Sequence, residues 1–230
     1  MSEALVTEGV ELVEHAQREG ATVRLLGGAA VVLHTTGVPY REIGDLDAVT
    51  GRRDVKGLTR ALVERGYEPE ARFNALHGDS RLIFHGPVGK LDIFVERFEM
   101  CHRIELGDRL ALDSPTITVS DLLLTKLQVV ELNAKDASDL AELLRHHELR
   151  AGEGDHLDTG YLAKLVGDDW GLWRTLDGTL ERLPALAPEV GEHSAALRRV
   201  LDEAPKGRRF RMRAKVGERM RWYELPDEPE

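Results

Sequence analysis

The spacing of apolar residues changes about halfway along the chain. In the first half, apolar residues form runs of strand length at positions 22–26, 81–85 and 90–98, and glycines lie between the runs. From position 120 onward they recur every three to four residues, as in "SDLLLTKLQVVEL" and "KDASDLAELLRHH". A period of two residues is typical of strands, and a period of 3.6 residues is typical of helices. The pattern therefore predicts an α/β first half and a mostly helical second half.

Glycine and proline mark the ends of the elements in the first half. The elements predicted before residue 70 are helices over 1–19, 29–36 and 54–66 and strands over 22–26 and 41–49. The segment Gly86-Pro87-Val88-Gly89 between two strand-like runs predicts a hairpin. A further strand pair is expected between His102 and Val119. We therefore expect an α+β fold, in which helices flank a mixed β-sheet and a mostly helical C-terminal region follows.

Composition and charge exclude several classes of protein. The chain has 230 residues, a formal net charge of −10 and one cysteine. A negative chain has no general affinity for nucleic acid or acidic membranes, and a single cysteine excludes an internal disulfide framework. No signal peptide is recognised, and no apolar run approaches the roughly 18 residues of a membrane span. These features predict a cytoplasmic protein without a membrane partner.

Three carboxylates in the first half form a candidate metal site. Asp45 and Asp47 lie two residues apart in a predicted strand, so their side chains share one face of the sheet. Asp92 lies within a later strand and opposite to Leu91 and Ile93. If the two strands are neighbours, three carboxylates converge. Hard cations such as Mg²⁺ relieve the resulting repulsion and leave coordination sites for phosphate oxygens.

A candidate phosphate site precedes these acids. Gly27-Gly28 lies between a predicted strand and a predicted helix, where backbone N–H groups and the helix dipole attract phosphate. Arg41 lies four residues before Asp45 and is placed to bind the same phosphates. Each motif alone also has a structural interpretation: a tight turn for the glycines, and a solvated strand face for the acids. Only their order in the chain favours a site.

This order of motifs resembles a known family. Gly-Gly, then Asp-x-Asp on a strand, then a lone Asp on a later strand is similar to the DNA polymerase β-like nucleotidyltransferase superfamily. The segment "DLLLTKLQVVELNAKDASDL", in which Lys126 is followed by Lys135-Asp136 and Asp139, resembles the AbiE toxin-type (AbiEii-like) branch. The resemblance covers roughly residues 23–144.

The resemblance implies a nucleotidyltransferase-type sheet, an NTP substrate and a Mg²⁺ cofactor. Asp45 and Asp47 would bind Mg²⁺, and Asp92 would be the third ligand or the general base. Lys126 would neutralise the triphosphate, and Asp136 would be a further polar residue of the active site. In the alternative interpretation these residues have only structural roles: Lys126 lies on the polar face of a helix, Asp136 caps the next helix and Asp139 lies in its first turn.

The resemblance also implies a division of the chain and a set of partners. Residues 1–119 would form the nucleotidyltransferase core, 120–150 a helical segment that completes the active site, and 151–230 a helical region with a basic tail. The acceptor would be RNA, such as the end of a tRNA, and a cognate antitoxin would be a partner. The alternatives are transfer to a small molecule such as an aminoglycoside, or a silent nucleotide- or RNA-binding module.

The sequence departs from the family pattern at two positions. Many relatives have Gly-Ser where this chain has Gly27-Gly28, and Ser or Thr where it has Gly44. Neither change removes a metal ligand, so the departures leave nucleotide choice and self-modification open.

The C-terminal segment is unusually basic for an acidic protein. "KGRRFRMRAKVGERMRWYE" holds eight basic residues between Lys206 and Arg221 against one acid, Glu218. Basic residues beside aromatic ones suit contact with RNA phosphates and bases. Because the arginines partly alternate, a solvated strand that pairs with the protein's own acids is an equal alternative.

Overall fold

The computed structural model describes residues 2–225, which divide into two compact units. The first unit contains the residues up to Phe98 together with Ile104–Leu122, and the second contains Glu99–Arg103 and the residues from Leu123 onward. Each unit has its own buried core. None of the helices within residues 2–225 is long and apolar enough to cross a bilayer.

A five-stranded mixed sheet forms the centre of the first unit. Its strands are β1 (Val23–Leu26), β2 (Leu46–Thr50), β3 (Glu68–Pro69), β4 (Arg81–Gly86) and β5 (Gly89–Val95). The strand order is β1-β2-β5-β4-β3, with β2 and β5 parallel and the other neighbouring pairs antiparallel. Short strands β6 (Arg97–Glu99) and β7 (Arg103–Glu105) form a separate pair, so only part of the expected strand pair after His102 is present.

Helices cover this sheet because most strand residues are apolar on both faces. The helices are α1 (Ser2–Arg18), α2 (Gly27–His34), α3 (Val55–Glu64) and α4 (Ala71–His77). All residues of β1 are buried, as are Leu46, Ala48 and Val49 in β2. A sheet without a solvated face needs helices against it, and α1 and α2 contact both of these strands. The predicted mixed sheet with flanking helices is confirmed.

The hairpin is confirmed, and the second strand is shorter than predicted. Strands β4 and β5 pair from Gly86↔Gly89, as the turn residues indicated. Strand β2 begins only at Leu46, because its pairing with β5 begins there. Residues 41–45 are therefore not part of the sheet, and Asp45 precedes the strand.

Helices make up most of the second unit. These are α6 (Ala134–His146), α7 (Thr159–Asp168), α8 (Trp170–Leu186), α9 (Gly191–Glu203) and α10 (Arg208–Val216); two-residue strands β8 (Leu149–Arg150) and β9 (Leu157–Asp158) pair with each other. Leu176, Leu180 and Leu183 form a fully buried stripe along α8, which contacts α9. The predicted mostly helical second half is confirmed.

Three details of the second half differ from its sequence pattern, in which Ser120 is a candidate N-cap, Pro184 is a candidate helix breaker and the C-terminal arginines partly alternate. Helix α5 (Val119–Leu127) begins before Ser120, and the Thr118 hydroxyl accepts the Asp121 N–H at 3.2 Å. Pro184 lies inside α8 and does not break it. The C-terminal arginines, for which a strand was one of two equal alternatives, lie in α10.

Candidate functional site

Two of the predicted acids are direct neighbours in the sheet. Asp47 on β2 is paired with Asp92 on the parallel strand β5. Residues paired in this way project to the same face, so the two carboxyl groups share one side of the sheet. Asp45 lies one residue before β2 and is partly exposed. The pairing of Asp47 with Asp92 meets the first requirement of the predicted metal site, which is that their two strands are neighbours.

Asp92 is a buried carboxylate held by two cations. The residue is 2% exposed. Its Oδ1 accepts hydrogen bonds from Arg81 Nε at 3.1 Å and Nη2 at 2.9 Å, and its Oδ2 lies 2.8 Å from Lys90 Nζ. Burial of an ionised carboxylate is costly without such partners. Arg81 and Lys90 therefore supply the counter-charges for a carboxylate that lies within the sheet.

Sequence analysis missed both cations, although the signal was present. Lys90 precedes Asp92 by two residues on one strand, so both side chains share a face. The Gly86↔Gly89 register places Arg81 diagonally across the hairpin from Asp92, since Ile83 is directly opposite. A diagonal neighbour lies within reach of a long side chain.

The two glycines make room for charged groups. Gly27 has φ +66°, and a Cβ at this position would overlap the Asp47 carboxylate. A Cβ on Gly28 would lie 2.6 Å from Arg41 Nη2. Only glycine lets both groups approach the backbone so closely. The Asp47 carboxylate therefore lies against Gly27 and the Arg41 guanidinium against Gly28, at the start of α2.

Asp47 and Asp92 offer carboxylate oxygens, which are the ligand type that hard cations prefer. A carboxylate offers about four acceptor positions, and the bonds from Arg81 and Lys90 use three at Asp92. Within residues 2–225, however, Asp45, Asp47 and Asp92 are not among the groups whose ligand atoms all lie within 4.8 Å of one another. Oxygen donors suit Mg²⁺, but the three-aspartate site stays a prediction.

The predicted lysine forms a cluster within the second unit. Lys126 Nζ lies 3.3 Å from Asp136 Oδ1 and 2.8 Å from Asp139 Oδ2. The Lys126 side chain is 12% exposed and that of Asp139 is 0% exposed. Asn133, not Asp136, caps α6, since its side chain accepts the Asp136 N–H. Lys126 is therefore not an exposed lysine on a polar helix face, and Asp139 is a buried member of an ion-pair cluster.

Replacement of Gly27 tests whether its contact with Asp47 matters. Gly27→Ala is expected to lower the free energy of unfolding by about 2–4 kcal/mol, because left-handed strain adds to a steric overlap. Gly37→Ala is the matched control: Gly37 has φ +70°, and a Cβ there would meet no atom within 4 Å. Urea denaturation of both variants measures the difference. Equal losses would show that the Asp47 carboxylate moves aside without cost.

Comparisons with known proteins give distant structural likenesses, of which two follow. The sequence matches no protein-family model and no curated protein. The crystal structure of an antigenic nucleotidyltransferase-like protein from Paracoccidioides brasiliensis is similar with a TM-score of 0.48 and 16% identity, over 84% of this chain and 92% of that one. The solution structure of the antibiotic-resistance factor ANT(2'')-Ia gives a TM-score of 0.44 and 13% identity, over 95% of this chain and 97% of that one.

Proposed function

We propose that this protein is a Mg²⁺-dependent nucleotidyltransferase, which moves a nucleotidyl group from an NTP to an acceptor hydroxyl. The observation that carries the proposal is the pairing of Asp47 with Asp92, next to the glycines that contact Asp47 and Arg41. A sheet with only a structural role gains no stability from a second carboxylate beside a buried one. Like charges placed directly opposite each other destabilise a sheet.

Each residue of the first unit has a distinct role in this proposal. Asp47 and Asp92, with Asp45, would hold Mg²⁺, which supplies charge neutralisation and a more acidic acceptor hydroxyl when it is bound. The start of α2 at Gly27-Gly28 would receive phosphate oxygens, and the Arg41 guanidinium would bind them as a planar donor. Arg81 and Lys90 would hold the Asp92 carboxylate in place beside Asp47.

Roles for the second unit rest on the motif resemblance. Lys126 would neutralise the triphosphate, and Asp136 would contribute to the active site. Lys126 is paired with Asp136 and Asp139. In this role the triphosphate would therefore compete with two carboxylates for the Lys126 ammonium group. The acceptor is proposed to be RNA, with tRNA ends as the first candidates. Assignment to the AbiE branch, with a cognate antitoxin, stays a prediction from the motifs.

The proposal is tested by incubation with each α-labelled NTP, Mg²⁺ and total RNA, with a parallel reaction on an aminoglycoside. We expect label in RNA and release of pyrophosphate, both abolished by EDTA. Label in the aminoglycoside alone would favour the small-molecule alternative. If neither acceptor nor the protein itself is labelled with any NTP, although NTP binding is measurable, the silent-module alternative is correct.

A further inference from the structure

Helix α10 has a charged face that the core of the second unit does not use. Arg208, Arg211 and Lys215 follow the spacing i, i+3, i+7, which places them on one side of the helix, and all three are exposed. Arg209 is exposed as well. On the opposite side Phe210 is buried, and Arg213 Cζ lies 4.6 Å from the Trp170 ring centroid. The helix is therefore attached by one face and presents cations on the other.

The exposed cations of α10 have no acidic partner among the residues that the structure describes. Across residues 2–225, Arg208, Arg209, Arg211 and Lys215 take part in no ion pair. Lys206 differs from them, since its ammonium lies 4.9 Å from the Phe210 ring centroid and burial lowers its pKa. The exposed face of α10 therefore gives no support to the alternative in which the basic tail pairs with the protein's own acids.

The charged face is also unsuited to insertion into a lipid bilayer. Among the α10 residues, Met212 is the exposed large apolar one, at 59% exposure, and the aromatic Phe210 faces the protein. Interfacial membrane helices need a broad apolar face that is free to enter the acyl region. A polyanion that binds through charge alone fits this surface better.

A hollow lined in part by the segment after α10 presents planar side chains on which a base can stack. It has a volume of about 190 Å³ and is lined by Arg174, Arg182, Trp222 and Tyr223, among others. Trp222 Nε1 donates to Thr175 Oγ1 at 3.1 Å, which fixes its ring, and Tyr223 is partly exposed. Aromatic rings and guanidinium planes are the surfaces on which unpaired bases stack.

Arg213 connects the two features. Its guanidinium donates to the Gly217 and Met220 carbonyl oxygens, each at 2.7 Å, and so orders the chain between α10 and Trp222. Arg174 Nε adds a 2.6 Å bond to Glu218. The charged face and the aromatic hollow are therefore held together within one continuous segment of the second unit.

We propose that this segment, with Arg174 and Arg182, is a binding surface for single-stranded nucleic acid. The cations Arg208, Arg211 and Lys215 contact backbone phosphates, and an unpaired base enters the hollow beside Tyr223. That the bound strand serves as the acceptor rests on the proposed function, whereas binding itself does not.

The test compares Arg208→Gln/Arg211→Gln/Lys215→Gln with the unaltered chain. The probes are fluorescent 12-mers of oligo(U) and oligo(dT) and a duplex of equal length, titrated at several salt concentrations. Three lost phosphate contacts on a single strand should lower the slope of log affinity against log salt by about two. We expect an affinity loss of roughly tenfold or more at low salt. Comparison of the affinities for oligo(U) and oligo(dT) shows whether the surface prefers ribose or deoxyribose.

A matched control separates this surface from general electrostatics. Lys56→Gln/Arg60→Gln/Arg72→Gln removes the same charge from exposed positions of the first unit and should leave the affinity nearly unchanged. Tyr223→Leu should weaken binding by about five- to a hundredfold, through loss of stacking, without a change in salt slope. Melting temperatures of all variants should match that of the unaltered chain.

Several outcomes would overturn the inference. One is an equal loss of affinity in the two triple variants, and another is tighter binding of the duplex than of the single strands. The others are no binding of either single strand, and binding of phosphatidylglycerol vesicles instead of single strands. Failure of the proposed function would look different, because the chain would then bind single strands without transferring nucleotides. Transfer to RNA by a triple variant with unchanged affinity would contradict the binding surface and leave the proposed function intact.

Discussion

Asp47→Asn is expected to reduce nucleotidyl transfer by at least about a hundredfold while the protein stays folded. The substitution keeps the shape of the side chain that contacts Gly27, but it removes the charge beside Asp92. Metal-assisted charge stabilisation contributes several kcal/mol to such a transition state, and each 1.36 kcal/mol corresponds to a factor of ten in rate. Pyrophosphate release at saturating NTP and Mg²⁺ measures the effect.

The control for this prediction is Asp108→Asn, which removes an exposed carboxylate elsewhere in the first unit. It should leave the rate unchanged. Titration with Mn²⁺, followed by electron paramagnetic resonance, gives a second measurement that does not depend on turnover. Full activity and unchanged Mn²⁺ binding in Asp47→Asn would show that the Asp47–Asp92 pair is structural.

Asp47 is a better position for this test than Asp92. Removal of the Asp92 carboxylate would leave Arg81 and Lys90 without their shared partner, so a loss of activity and a loss of stability would occur together. Asp47 is partly exposed, so its charge can be removed with less effect on the core.

The sheet around the site was largely predictable from local sequence. The residues Gly86 to Gly89 determine the hairpin, and the alternation in "KLDIFV" places Asp92 opposite to Leu91 and Ile93. The burial of Asp92 was not predicted, because it depends on Lys90 of the same strand and on Arg81, which reaches Asp92 from the neighbouring strand β4. Periodicity assigns a face to a residue, but it does not show which partners compensate its charge.

Two segments show where the local pattern is too weak to decide the secondary structure. Residues 41–45 were predicted to open the second strand, but within the described residues they have no neighbouring strand with which to pair, so β2 begins at Leu46. The arginines after Lys206 partly alternate, which left a strand as one of two equal alternatives, and burial of Phe210 and stacking of Arg213 on Trp170 favour a helix. In both segments tertiary contacts override a local pattern that is weak in itself.

The largest stability effect is expected at Lys126. Lys126→Met should lower the free energy of unfolding by about 3–5 kcal/mol, because it leaves the buried Asp139 carboxylate without its counter-ion. That loss is a large share of the 5–15 kcal/mol typical of a folded protein. Arg145→Met is the matched control: its 2.8 Å pair with Glu142 is on the surface and should be worth less than about 1 kcal/mol. Urea denaturation measures both.

The double variant Lys126→Met/Asp139→Asn separates a structural role of Lys126 from a role in substrate binding. Removal of the buried charge together with its partner should restore most of the lost stability, since a neutral pair carries no uncompensated carboxylate. If Lys126 also neutralises triphosphate, the stable double variant should still bind NTP more weakly than the unaltered chain. Unchanged NTP affinity in that variant would assign Lys126 to the fold alone. A loss of stability as small as that of Arg145→Met would instead mean that the Asp139 carboxylate finds another partner.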